Sequence, residues 1–202
     1  MRVLLVIALL GALGCTETVA TEPRPALAEL NAPLRRIAVM PFTASALVRQ
    51  EVGEEKPRDA AQLVAKYVAE ALAARGVEVI PPEDVAATLE GADPTQRVGA
   101  LLREKRGAEA VVRGELTRWE EREGEAMGTL HPAAVGFRVG LQGADGRMLW
   151  NAEFDERQQP LSDNVLRAGQ YPGAGTRWLT AEELARWGAQ ETVKKLPLGP
   201  ER

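Results

Sequence analysis

Few residue types in this chain are equipped for chemistry, and their spacing limits what that chemistry is. His131 is the only histidine, set in Leu130-His131-Pro132 shortly after the carboxylates Glu120, Glu121, Glu123 and Glu125. An imidazole among acids could relay protons, but a zinc site needs several nitrogen or sulfur ligands, and there is no second histidine. The acidic run also lacks the spaced Asp/Asn ligands and the turn glycine of a calcium loop. We therefore expect a solvated acidic loop, an exposed His131, no metal and no cofactor. Ser45 and Ser162 are the only serines; neither stands in a nucleophile-elbow context, and one histidine cannot activate both. Tyr171-Pro172-Gly173-Ala174-Gly175-Thr176 is glycine-rich but lacks the lysine of a phosphate-binding loop, so it is expected to be a turn. Glu153, Asp155 and Glu156 fall on or beyond the solvent side of a strand, and spacing does not join them into an acid/base pair.

The remaining reactive group is Cys15, the only cysteine. It closes MRVLLVIALLGALGC, where one arginine precedes an apolar run and small residues follow, the order of a secretory signal. Val3 to Leu13 is too short for a spanning helix, which needs about 20 apolar residues. The stretch resembles a bacterial lipoprotein signal peptide, with Ala12, Leu13, Gly14 and Cys15 at the lipobox positions. That resemblance implies cleavage before Cys15 and a covalent diacylglycerol and N-acyl lipid on it. It also implies, from Thr16 in place of Asp, sorting to the periplasmic face of the outer membrane. With its cysteine acylated, the mature chain can form no internal disulfide, so stability must come from burial.

The formal net charge is −4, and loss of Arg2 makes it one unit more negative. Without a block of Lys and Arg there is no basic surface to hold nucleic acid. Four tryptophans remain to be placed. Trp150 is expected in the core and Trp187 on the flank of the last helix, whereas Trp119 and Trp178 are candidate partner anchors, since Trp is favoured at interface hot spots.

The elements that must position these groups follow from periodicity. Residues 1–14 are the signal and 15–33 the acylated cysteine with a proline-bearing tether. Residues 34–197 form one globular domain, and 198–202 a tail. Arg36-Ile-Ala-Val-Met-Pro-Phe42 reads as a buried strand stopped by Pro41. Residues 43–57 read as a loop. Leu63, Val64, Tyr67, Val68, Ala71 and Leu72 share one helical face, closed by Gly76. Val77 to Ile80 gives a second strand, parallel to the first through a crossover. Two short helices follow, from Pro82 and from Asp93-Pro94. Three strands built on Ala110 to Trp119, Val135 to Leu141 and Met148 to Phe154 form an antiparallel meander, the last two joined at Asp145-Gly146. Residues 120–132 and 158–177 read as exposed irregular segments, with one helical turn near Val165. Thr180-x-x-Glu183 opens a capped terminal helix that Pro197 stops.

"RIAVMPF", "GAEAVVRGEL" and the late Gly146-Arg-Met-Leu-Trp150 resemble the shared strand motifs of envelope lipoproteins related to LpoB, CsgG and the TolB N-terminal domain. The resemblance covers about residues 36–154. It implies an α/β domain with a mixed sheet of about five strands and helices mainly on one face. It also implies a non-catalytic, membrane-anchored envelope protein that binds another envelope protein. A curli-type pore needs long amphipathic hairpins with aromatic girdles, and one hairpin whose apolar face covers the core does not supply them. A structural homo-oligomer and a carboxylate-dependent cell-wall hydrolase are the alternatives.

Overall fold

The structure, a computed structural model, describes residues 19–23, 33–93, 96–159 and 171–198. Cys15, Ser162 and the turn expected near Val165 lie outside the described residues.

The first buried strand forms where expected, as β2 (Arg36–Val39), with Ile37, Ala38 and Val39 fully buried. It pairs in parallel with β4 (Glu78–Ile80) on one side and β5 (Ala110–Glu120) on the other. Between β2 and β4 runs α2 (Glu55–Ala74), which turns off at Gly76 with φ +78°. A left-handed residue is what lets the chain leave the helix and re-enter the sheet at once. Antiparallel β8 (Ala134–Gly143) and β9 (Met148–Arg157) extend the sheet from β5.

The sheet has seven strands rather than about five. One addition is β1 (Val19–Pro23), which pairs antiparallel with β9 inside the stretch read as tether. It is short, Val19 is buried while Ala20 and Thr21 are exposed, and it ends at a proline, which only an edge tolerates. The other is β3 (Thr43–Ala44), beside β5, followed by α1 (Ala46–Val52) in the segment read as a loop. Ser45 caps that helix, its hydroxyl accepting from the Val48 amide at 3.4 Å.

α2 and the terminal helix α5 (Ala181–Lys194) cover one face of the sheet, over a core that includes Phe137, Phe154, Leu72 and Leu184. Phe154 stacks on Phe137 and meets Trp187 edge-on, so Trp187 belongs to the core rather than to a flank. Two short helices, α3 (Pro82–Leu89) and α4 (Val98–Arg106), cover the parallel part of the other face. They enclose a second core of Ala38, Ile80, Val85, Leu102, Ala108 and Val111. Beyond it the second face is open. There Arg113, Glu115, Arg138, Asn151 and Glu153 line a shallow hollow of about 440 Å³ floored by Gly140.

Candidate functional site

Register defines one end of the sheet. Glu120, Ala134 and Arg157 lie level across β5, β8 and β9, one step beyond Trp119, Val135 and Glu156. From this end leave the connection between β5 and β8, the chain after β9 and, close by, α1. The expected loop 120–132 is a hairpin of β6 (Glu123–Glu125) and β7 (Gly128–His131). It forms because Gly124, at φ +111°, takes a backbone conformation that a side chain resists. Across it the Arg122 guanidinium donates to the Trp178 carbonyl at 2.8 Å, and the Trp178 amide donates to the Ala126 carbonyl at 2.8 Å. The hairpin is thereby fastened to the segment that leads into α5.

The groups singled out for chemistry are dispersed over this end. His131 is exposed, with Nε2 3.8 Å from Glu123. Glu120 pairs with Arg157. Glu121 accepts from the Ala181 amide at 3.0 Å, where a carboxylate favours the start of α5. Among the described residues no group of three His, Cys, Asp or Glu side chains converges as metal ligands. Glu153 and Asp155 do face the open side, paired with Arg138 and Arg118. Glu156 does not: it is buried on the α5 side and accepts the Tyr171 hydroxyl proton at 2.5 Å. Strand alternation puts it on the Phe154 side, and an acid there must find a polar partner. Residues 172–175 form a 3-10 turn.

The strongest electrostatic feature is structural. Arg177 holds Glu183 with both guanidinium nitrogens at 2.6 and 2.7 Å, and Glu183 closes the capping box with Thr180. The Arg177 hydrogen bonds come first, and the Thr180 amide adds to them; together they lower the Glu183 carboxyl to about 2. On the neighbouring helix the Tyr67 hydroxyl donates to Glu182 at 2.5 Å, and burial raises its pKa.

Trp119 is half-buried and packs against the main core, while Trp178 is half-buried and held by its two backbone hydrogen bonds. Both candidate anchors sit at this same end. Three side chains that the sequence reading passed over join them: Leu47, Met127 and Leu130 are 70, 82 and 83% exposed. A signal was present in the Met and Leu of an otherwise charged hairpin.

This mixed sheet with its covering helices has a counterpart among solved structures. The fold is similar to that of PelC. The PelC dodecamer from Paraburkholderia phytofirmans matches at 18% identity and a TM-score of 0.51, covering 87% of this chain and 93% of that one. A point variant of the same dodecamer matches at 17% and 0.53, covering 87% and 96%. The matches also include the LpoB C-terminal domain from Salmonella enterica, at 11% identity and a TM-score of 0.34, covering 66% of this chain and 94% of that one. LpoB belongs to the group that the strand motifs resemble, whereas the likeness that bears on the fold is PelC's. No protein-family model and no curated protein matches the sequence. Among the described residues, no helix is long and apolar enough to cross a membrane.

Proposed function

We propose that this is a lipid-anchored, non-catalytic protein of the bacterial envelope that faces the periplasm. In this reading it binds another envelope protein as an accessory factor in assembly, secretion or peptidoglycan synthesis. The carrying observation is β1: the folded sheet starts at Val19, four positions after Cys15. An acyl group on Cys15 would then hold a rigid domain, not a loosely tethered one, against the membrane. Thr16 supports the outer membrane as its address. Of the candidate acids, Glu120, Glu153 and Asp155 are paired with arginines, Glu121 caps α5 and Glu156 accepts from Tyr171. What the molecule offers instead are surfaces: the loop end with Trp119 and Trp178, and the open charged face.

A second reading has one specific support. PelC, the similar fold, is a dodecamer. The partner of this protein is on that reading a further copy of itself.

Crosslinking the full-length acylated protein in its native envelope, with mass spectrometry of the products, tests both readings. A different envelope protein, lost when Trp119→Ala is introduced, is the expected product. Self-crosslinks to the exclusion of others favour the homo-oligomer. Absence of any protein crosslink, together with release of fragments from purified cell wall, would overturn the proposal in favour of a hydrolase.

A further inference from the structure

Among the described residues, the three large apolar side chains left exposed are Leu47, Met127 and Leu130. Exposed apolar residues scattered singly mean little; here all three leave the sheet at one end. Met127 lies in the turn and Leu130 in the second strand of the hairpin joining Glu120 to Ala134. Leu47 lies in the first turn of α1, which starts where the Ser45 amide donates to the Leu116 carbonyl. The opposite end carries exposed charge, Glu78, Lys105, Arg106, Asp145 and Arg147, and among the described residues no large exposed apolar side chain; the loop end is charged too, at Glu121, Glu123, Glu125 and Arg157, but adds the three apolar ones.

Chain direction connects this asymmetry to Cys15. β1 runs antiparallel to β9, from Val19 beside Phe154 to Pro23 beside Trp150. At Val19 the strand therefore points back toward the Arg157 end. Cys15 is four residues further, a reach of at most about 14 Å. The ten-residue β9 itself is about 33 Å long. Lipid on Cys15 thus cannot stand off by even half the length of the domain. The Lys195 ammonium, donating to the Val19 carbonyl at 2.9 Å, and the burial of Val19 hold the start of β1 in place.

We infer that the Leu47, Met127 and Leu130 end of the domain rests on the bilayer that holds the Cys15 lipid, with these side chains in the headgroup–acyl boundary. This rests on the acylation of Cys15 proposed above. The hairpin is braced by its bonds to Trp178, so its apolar side chains are presented from a rigid support. The hairpin also carries the exposed carboxylates Glu123 and Glu125, which favours a surface that is not strongly anionic. The contact orients the domain: the open face with Arg113 and Arg138 stands across the membrane plane, and the charged end points away from it.

The test uses the acylated full chain in vesicles of phosphatidylethanolamine and phosphatidylglycerol. Because Cys15 is the only cysteine and its sulfur is acylated, a cysteine introduced by Leu130→Cys, Met127→Cys or Leu47→Cys is the one free thiol for an environment-sensitive fluorophore. Lys105→Cys at the charged end is the comparison. The inference expects blue-shifted emission at the three positions, loss of that emission with doxyl-labelled lipid, and neither effect at Lys105→Cys. Water-like emission at all four positions, with Cys15 acylated by mass, overturns the membrane contact and leaves the anchor standing. Blue-shifted emission that doxyl lipid does not quench assigns the end to a protein surface, such as a second copy, and overturns it too. A mass without acyl groups refutes the anchor reading, and this inference with it.

Discussion

Gly114→Ala tests the packing that ties two of the sequence motifs together. Phe42 closes the "RIAVMPF" motif, and Gly114 lies in "AVVRGEL" on β5. A Cβ built on Gly114 would stand 2.2 Å from Cε2 of Phe42 and 2.4 Å from Cδ2 and Cζ. Carbon atoms in contact sit about 3.5–4.0 Å apart, so the ring would have to retreat by more than an ångström. It has nowhere to go, being 2% exposed in a close-packed core. Overpacking of this kind costs about 1–3 kcal/mol, and the size of the overlap places this case near the top. Removing a strand glycine returns about 0.5–1 kcal/mol. The net loss is about 2 kcal/mol, or about 4–8 °C in Tm for a domain of this size. Calorimetry of the purified protein reads it directly. A double-mutant cycle with Phe42→Leu sharpens the test, because a smaller side chain relieves the overlap and the alanine should then cost little. A Tm that is unchanged or raised, or an equal cost in both backgrounds, would refute the reasoning.

Gly188→Ala should lower stability by about 1 kcal/mol despite the better helix propensity of alanine, since its Cβ would lie 2.6 Å from the Phe154 ring; denaturant unfolding checks this. Glu183→Gln should cost about 1 kcal/mol at neutral pH, a value discounted for the exposure of the pair. Because the folded carboxyl is held near 2, below the ordinary 4.5, the stabilisation is full above pH 4.5 and fades as pH falls toward 2. The gap between wild type and variant in pH-dependent melts should narrow over that interval. Val19→Asp should release β1 from the sheet, since a buried unpaired charge is costly; amide exchange at Thr21 should accelerate while that in β8 stays slow.

Most of the fold was legible because its elements carry strong local signals. The alternation in β8, the face of α2 closed by Gly76, and the Thr180–Glu183 box each specify an element within a few residues. β1 was not legible, because five residues ending in proline look like a linker until β9 is there to pair with. Nor was α1, whose seven residues depend on the Ser45 cap and on α2 beneath. Glu156 went to the core because Tyr171, fifteen residues away, offers its hydroxyl, a partner that sequence spacing does not reveal. Trp119 and Trp178 were singled out from residue type, and the structure leaves both half-buried at one end of the sheet. Leu47, Met127 and Leu130 gain meaning from being at one end of the sheet, which is a property of topology and not of any local pattern.

The central claim is that Cys15 is acylated with the folded sheet starting four residues beyond it. The intact mass of the protein extracted from the membrane fraction of a bacterium expressing the full chain tests this directly. The expected product is a chain lacking residues 1–14 and carrying diacylglycerol and an N-acyl group on Cys15, with that material absent for Cys15→Ser. A membrane-bound chain that retains Met1, or a processed chain with a free Cys15 thiol, would contradict it.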